Sequence, residues 1–331
     1  MKVLITGATG FIGEFLVEEL VRSDYVVTCL VRDIKRGEFL NRLGAKLIEG
    51  DINDKVKLQE SVKNQDIIFH LAAETDISRI SKSTYNRFCS VNVKGTENLL
   101  ECCKGKKVKK IVHFSSIAVM GLIKDKISDE NTECHPVNPY QLSKWEAERL
   151  VLDYYKKYNL PVVMVRPTMV YGPSDKDHSE ILRMTKFIKK GIFPLVGSGN
   201  NSIPIVHVRD LVDGAILAGK YGRPGQIYII TNENKSSFNE IIHTISCEIG
   251  KNVLIIRIPK LLAQSVIFPI ELLARLFNLK FPFTLKRIES MTSDRVFSVE
   301  KAKNELGYRQ KIDLKDGFKE MIDWYKINGY L

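Results

Sequence analysis

The chain has 331 residues and a formal net charge of +11, with 44% hydrophobic and 27% charged content. That balance describes a globular chain able to bury a sizeable core, and it excludes disordered, collagen-like and disulfide-framework classes. The positive excess fits a lysine-rich solubilising surface or attraction for anions. Lys104, Lys106, Lys107, Lys109 and Lys110 crowd one segment with no aromatics between them, so nucleic acid is not an expected partner.

In chain order, Lys2–Thr6 reads as a strand with no room before it for a signal peptide, so a cytoplasmic location is expected. The run Thr6-Gly7-Ala8-Thr9-Gly10-Phe11-Ile12-Gly13 leaves that strand and enters a helical pattern over Ile12–Val21. Gly7 permits a tight turn, Gly10 lets backbone approach a pyrophosphate, and Gly13 lets helix and sheet pack closely. Unpaired N–H groups at the helix start favour phosphate. A second strand, Tyr25–Val31, ends in Arg32-Asp33 with Lys35 and Arg36 beyond. A guanidinium at Arg32 suits a 2′-phosphate, which makes NADP the preferred cofactor. If the strand ends one residue later, Asp33 holds the ribose and NAD is possible.

The next strands are Lys46–Glu49, followed by Asp51 and Ile52 at an adenine-facing position, and Ile67–His70, followed by Ala72 and Ala73. His70 reads as a packed strand-end histidine. Helical patterns cover Val56–Val62, Val91–Cys102 and Gln141–Tyr158, and strands Lys110–Ser115 and Val162–Arg166 complete the alternation. Nearly unbroken apolar strands between helices predict an α/β fold, a doubly wound parallel Rossmann sheet, over residues 1–172 with a returning segment at about 203–232. After Tyr171-Gly172-Pro173 come a helical pattern, Ser179–Lys190, and strand-like Ile203–Val208 and Gln226–Thr231. A smaller, interleaved C-terminal α/β substrate domain is expected over residues 173–331, ending in a polar helix near Tyr325. The apolar stretch from Pro259 to Phe283 is broken by Gln264, Pro269, Glu271 and Arg275, so no stable membrane insertion is expected. It reads as a helical lid over an apolar pocket, or as core. The six cysteines, at 29, 89, 102, 103, 134 and 247, show no metal or Cys-x-x-Cys spacing, so they are expected to be reduced and no metal site is expected.

Tyr140 and Lys144 stand four apart at the start of a helix, hence on one face. A nearby ammonium lowers a phenol's pKa towards the range useful for proton transfer. The fifth strand ends in Ser115-Ser116, either of which can hydrogen-bond a substrate carbonyl; the spacing to Met120-Gly121 favours Ser116.

Glycine loop, strand-end serine and Tyr-x-x-x-Lys, in this order, resemble the extended short-chain dehydrogenase/reductase family, the NAD-dependent epimerase/dehydratase superfamily. The resemblance runs end to end. It takes in Arg166-Pro167-Thr168-Met169-Val170-Tyr171-Gly172-Pro173, then Val299-Glu300-Lys301-Ala302 with Glu305-Leu306-Gly307-Tyr308. It implies a catalytic triad of Ser116, Tyr140 and Lys144. It also implies cofactor contacts at Gly7, Thr9, Gly10, Phe11, Ile12, Gly13, Arg32, Asp51, Ile52, Ala72, Ala73 and Pro167, with Tyr140 and Lys144 sharing them. A homodimer is implied too, through a four-helix bundle of Val91–Cys102 and Tyr140–Tyr158.

Departures from the family pattern bear on the reaction. Sugar-nucleotide dehydratases carry an acidic pair after the strand-five hydroxyl, where this chain has Ile117 and Ala118. Met120 and Met169 replace a tyrosine and an asparagine usual in sugar-nucleotide enzymes. With the apolar 259–283 stretch, this points to a fairly apolar small-molecule substrate and to alcohol/ketone oxidoreduction with Tyr140 as acid/base. The nearest branch is then that of 3β-hydroxysteroid dehydrogenase and dihydroflavonol reductase. The alternative is a nucleotide-sugar epimerase, with Arg209, Lys286, Arg287 and Arg295 available to phosphate. A second alternative is a non-catalytic cofactor-sensing protein, which typically lacks the tyrosine or lysine present here.

Overall fold

A parallel sheet covered on both faces needs largely apolar strands, and the computed structural model builds one from strands read in the sequence. It describes residues 1–76, 82–123, 127–175, 179–276 and 285–331. The first half runs β1 (Lys2–Thr6), α1 (Phe11–Arg22), β2 (Val26–Val31), α2 (Ile34–Arg42), β3 (Lys46–Glu49), α3 (Lys55–Val62), β4 (Ile67–His70) and α4 (Lys82–Phe88). A π-helical segment, Cys89–Gly95, carries α4 into α5 (Thr96–Cys103). Then come β5 (Lys110–Phe114), a 3-10 turn at Ile117–Met120, β6 (Ile127–Ser128), α6 (Pro139–Tyr158) and β7 (Val162–Pro167). The remainder comprises β8 (Met169–Tyr171), α7 (Glu180–Lys189), β9 (Ile192–Val196), β10 (Ile205–His207), α8 (Val208–Tyr221), β11 (Ile227–Ile230) and α9 (Phe238–Ile249). It ends with β12 (Leu254–Ile258), α10 (Lys260–Leu276), α11 (Leu285–Thr292), β13 (Val296–Phe297), α12 (Glu300–Leu306) and α13 (Leu314–Ile327).

Seven strands form one parallel sheet in the order β11-β7-β5-β4-β1-β2-β3. One face is sealed by α1, α8 and α12 side chains such as Leu16, Leu211 and Leu306; the other by α3, α5 and α6 side chains such as Leu58, Leu99 and Val151. The strand order reverses between β1 and β4, which opens a crevice at their carboxyl ends. This is the doubly wound Rossmann sheet expected from the sequence. β10 differs from expectation, since it pairs with β8 in a separate two-stranded sheet and only β11 rejoins the large one. A further core gathers Ile181, Leu195, Ile242, Phe318 and Ile322 from α7, β9, α9 and α13.

The 259–283 stretch does not become core. Its described part is α10, where Leu261 is 81% and Phe268 58% exposed. The part beyond Leu276 lies outside the described residues. No helix among the described residues is long and apolar enough to cross a membrane.

Candidate functional site

The loop after β1 is shaped for a ligand that touches backbone. Gly7 has φ +77°, and a Cβ there would lie 2.6 Å from the Ala72 nitrogen. A Cβ on Gly13 would lie 2.4 Å from the Gly7 carbonyl oxygen, so any side chain would push α1 off β1. Gly10 is the N-cap of α1 and offers no side-chain cap, so the first N–H groups of the helix stay open to an anion. Thr9 and Gly10 are exposed at the mouth, and Phe11 and Ile12 are half-buried. This cradle fits a dinucleotide pyrophosphate.

Other expected contacts ring the same edge. Ala72 and Ala73 follow β4, with the Ala72 N–H donating to Thr6 Oγ1 at 3.4 Å. Asp51 turns its carboxylate onto the Asn53 N–H at 2.9 Å, and Ile52 is seated against Gly95, where a Cβ would come within 2.7 Å of it. Pro167 ends β7, buried. Arg32 lies just beyond β2, exposed, with no partner among the described residues. Asp33 caps α2, its Oδ1 accepting from the Lys35 N–H at 2.8 Å and the Arg36 N–H at 3.4 Å. Both bonds use Oδ1, and Oδ2 has no partner among the described residues.

His70 is the packed histidine expected. Thr96 Oγ1 donates to the Asn92 carbonyl at 2.6 Å, so it accepts from His70 Nε2 at 2.9 Å. His70 Nδ1 therefore accepts from Thr6 Oγ1 at 2.7 Å. Burial, reinforced by the Lys144 charge, pulls its pKa down to about 3, so the ring is neutral. His113 lies beside it, ring centroids 5.3 Å apart, and is held neutral by burial, then by Lys144 and His70.

Asn138 caps α6 through the Gln141 N–H at 2.9 Å, with Pro139 in the first turn, and so fixes where Tyr140 and Lys144 emerge. Lys144 is 3% exposed and donates Nζ–H to the Phe114 carbonyl at 2.6 Å, tying α6 to the end of β5. Burial draws its pKa from 10.5 to about 8, against the pull of Glu148. Tyr140 is half-buried, edge-on to Phe88 at 5.8 Å. Burial raises its phenol pKa, and a hydrogen bond with the Ser116 hydroxyl opposes the rise. The group that opposes the rise is Ser116, while the Lys144 ammonium is turned to the Phe114 carbonyl. Ser116 Oγ also accepts from the Ala118 N–H at 3.1 Å, whereas Ser115 Oγ is buried with no partner among the described residues.

Asn92, which the sequence reading passed over, sits in the π-helical segment and is 1% exposed. Its Nδ2 donates to Ser143 Oγ at 2.9 Å and to the Glu74 carbonyl at 3.1 Å, and its Oδ1 accepts from the Glu74 N–H at 2.7 Å. Ser143 in turn donates to the Tyr140 carbonyl at 2.8 Å. An amide amid apolar helical positions was the available signal. π-Turns often mark functional sites.

Two supports for an apolar ligand fail. Met120 is fully buried, packed with Ile117, Ile229 and Phe297 rather than lining an opening. α10 is exposed rather than folded over the site. Of the candidate phosphate cations, Arg209 is bound to Glu320 at 3.1 Å and lies over the Phe15 ring. Lys286 and Arg287 have side chains outside the described residues. Arg295 is left; its guanidinium lies over the Phe297 ring at 5.8 Å, its Nε is buried with no hydrogen-bond partner among the described residues, and burial lowers its pKa. It is two residues before Phe297, which packs against the turn that follows Ser116.

The sequence model of the family described as "NAD dependent epimerase/dehydratase family" matches residues 3–231. The human dTDP-D-glucose 4,6-dehydratase is 29% identical over 99% of this chain and 90% of its own length. The 3beta-hydroxysteroid-dehydrogenase/decarboxylase isoform 1 of Arabidopsis thaliana is 26% identical over 97% of this chain and 78% of its own. The crystal structure of a dTDP-glucose 4,6-dehydratase from Streptomyces venezuelae, which holds NAD, superposes with a TM-score of 0.79 at 25% identity, covering 99% of this chain and 98% of that one.

Proposed function

The chain belongs to the NAD dependent epimerase/dehydratase family and is an NAD(P)-dependent enzyme, and we propose that it epimerises a sugar carried on a nucleoside diphosphate. The observation that carries this reading is Arg295. Its Nε is buried with no hydrogen-bond partner among the described residues, which is costly, and a diphosphate placed against it would remove the cost. Dehydration is not proposed. Ile117 and Ala118 follow Ser116, and neither has a proton to exchange for an elimination.

The cofactor proposed is NAD, as in the Streptomyces relative, rather than the NADP expected from Arg32. Residues 1–172, with the return at 203–232, are proposed to hold it, and residues 173–331 to hold the substrate. Gly7, Gly10 and Gly13, with the N-terminus of α1, would receive its pyrophosphate, and Asp33 Oδ2 its ribose. Held there, NAD would supply the acceptor for the hydride of the sugar carbinol and its donor to the opposite face of the resulting ketone. Ser116 holds the reacting oxygen and Tyr140 removes its proton as the carbonyl forms, then gives it back. Lys144 fixes α6 to β5 and places a positive charge beside the phenol. The free state of all six cysteines supports a cytoplasmic location. The outer faces of α6 and of the helix around Val91–Cys102 are proposed to dimerise.

The test is release of bound nucleotide with identification by mass, followed by NMR of UDP- and dTDP-sugars incubated with the protein. Retained NAD and interconversion of two epimers are expected. Arg295→Met should weaken UDP binding, and Tyr140→Phe should cut turnover by about 10²- to 10⁴-fold with NAD still bound. Absence of UDP binding, with stoichiometric oxidation of NADPH by a ketone, would overturn the reading. That result would favour net alcohol/ketone oxidoreduction, the second reading, which the Arabidopsis relative and the exposed Arg32 support.

A further inference from the structure

Helix α10 is inside out. A surface helix of a globular protein turns its apolar stripe inward and its polar side outward. Here the inward positions are Lys260, Ala263, Gln264, Ile267 and Glu271, all buried or half-buried. The Glu271 carboxylate, 8% exposed, accepts from the Leu285 N–H at 2.8 Å and so anchors α10 to the start of α11. The outward positions are Leu261, Leu262, Val266, Phe268, Leu272 and Leu273, each about half exposed or more. Ser265, Pro269 and Ile270 are the other exposed positions among them.

The ribbon that precedes the helix in the chain also carries exposed apolar side chains. β9 and β12 pair in parallel, with Ile192 beside Leu254 and Pro194 beside Ile256. One face of that ribbon supplies Phe193 and Leu195 to the core, while Ile192, Leu254 and Ile256 stand 49%, 64% and 47% exposed on the other. Lys189, Lys190 and Lys251, all exposed, gather where both strands begin; the Leu254 N–H donates to the Gly191 carbonyl at 2.9 Å at that end.

An apolar helix, the apolar ribbon whose second strand leads into it and a lysine cluster at the ribbon's start match the two demands of a lipid interface: side chains to enter the acyl boundary and cations to meet anionic headgroups. We propose that α10 and the β9–β12 ribbon dock the enzyme peripherally on an anionic bilayer surface. The helix lies in the interface rather than crossing it, in keeping with the lack of a spanning helix among the described residues. The charge of the whole chain, +11, has the sign this requires. The inference is independent of which reaction the site performs.

The experiment is co-sedimentation of the full chain with vesicles of phosphatidylcholine, with and without phosphatidylglycerol, at low and high salt. Pelleting with the anionic vesicles is expected, and it should fall as salt is raised. Leu261→Ser with Phe268→Ser should lower partitioning by about tenfold or more, since the helix must bury apolar side chains to bind. Retained nucleotide and unchanged circular dichroism show that this variant is folded. Phe268→Trp gives a second readout, an emission blue-shift on adding anionic vesicles. The proposal fails if the wild-type chain stays in the supernatant with every vesicle, or if the Trp emission does not move. It fails equally if the double serine variant pellets like wild type but halves the mass seen by light scattering, because a second copy of the chain would then be what covers α10.

Discussion

Replacing Lys144 by Met should stabilise the protein at neutral pH even as it stops turnover. The ammonium is 3% exposed, and burial has drawn its pKa from 10.5 to about 8. Below about pH 8 the folded and unfolded chains both hold this proton, and the folded state carries the full desolvation cost of the charge. Between about pH 8 and 10.5 the unfolded chain alone holds it, so the wild-type protein gains stability as pH rises through that window and keeps the gain above it. The displacement corresponds to a penalty of about 3 kcal/mol at neutral pH, at ~1.4 kcal/mol per unit. Methionine removes that penalty but leaves the Phe114 carbonyl, which now accepts Nζ–H at 2.6 Å, without its donor. An unpaired buried acceptor costs about 1–2 kcal/mol, so a net gain of about 1–2 kcal/mol is expected.

Urea denaturation of nucleotide-free wild type and K144M, at pH 7 and at pH 10.5, measures this directly. At pH 7 the variant should unfold at higher urea. At pH 10.5 the wild-type lysine is neutral, so the advantage should vanish or reverse by the cost of the orphaned carbonyl. Were the variant weaker than wild type by the same amount at both pH values, burial would not be straining this lysine. Its depressed pKa would then have no part in the site's chemistry.

Further predictions test the cradle and its supports. Gly13→Ala places a methyl 2.4 Å from a backbone oxygen, so the purified variant should lose its retained dinucleotide and about 1–3 kcal/mol of stability, read by absorbance and urea melts. Asp33→Asn keeps the cap of α2, because the amide oxygen serves equally, so stability should stay within about 0.5 kcal/mol of wild type. NAD affinity by calorimetry should nonetheless fall about tenfold, as loss of a charged acceptor to the ribose predicts. Asn92→Ala strips partners from Ser143 and Glu74, so it should cost about 1–3 kcal/mol and depress kcat more than it raises KM.

The sheet was legible because parallel strands covered on both faces are largely apolar, and here they alternate with helical patterns. β1, β3 and β4 have the limits read from sequence, and β7 differs by Pro167 alone. The glycine loop was legible for a steric reason, since a Cβ at Gly7 or Gly13 meets backbone. α2 was not, because it is short, polar and interrupted by Gly37, and the Asp33 cap together with packing on β3 decides it. β9 was hidden by Pro194, which an edge position in a two-stranded ribbon tolerates. Met120 and α10 misled for one reason: apolarity along a sequence says nothing of which way a side chain is turned. Met120 went wholly inward and α10 outward.

How the protein treats its buried cations separates structure from site. Arg166 and Glu148 are each 4% exposed and joined by two bonds, at 2.8 and 2.6 Å, so this charge is neutralised within the fold. That pair holds α6 to β7 and asks nothing of a ligand. Arg295 is treated differently, with a buried Nε and no carboxylate supplied among the described residues. Lys144 is likewise given a carbonyl instead of an anion. A chain able to build the Arg166–Glu148 pair had the means to pair the others. Leaving these two cations under desolvation costs the fold stability that an anion placed against either would restore. On the proposed reading of the site, a diphosphate at Arg295 and a phenolate near Lys144 would be those anions.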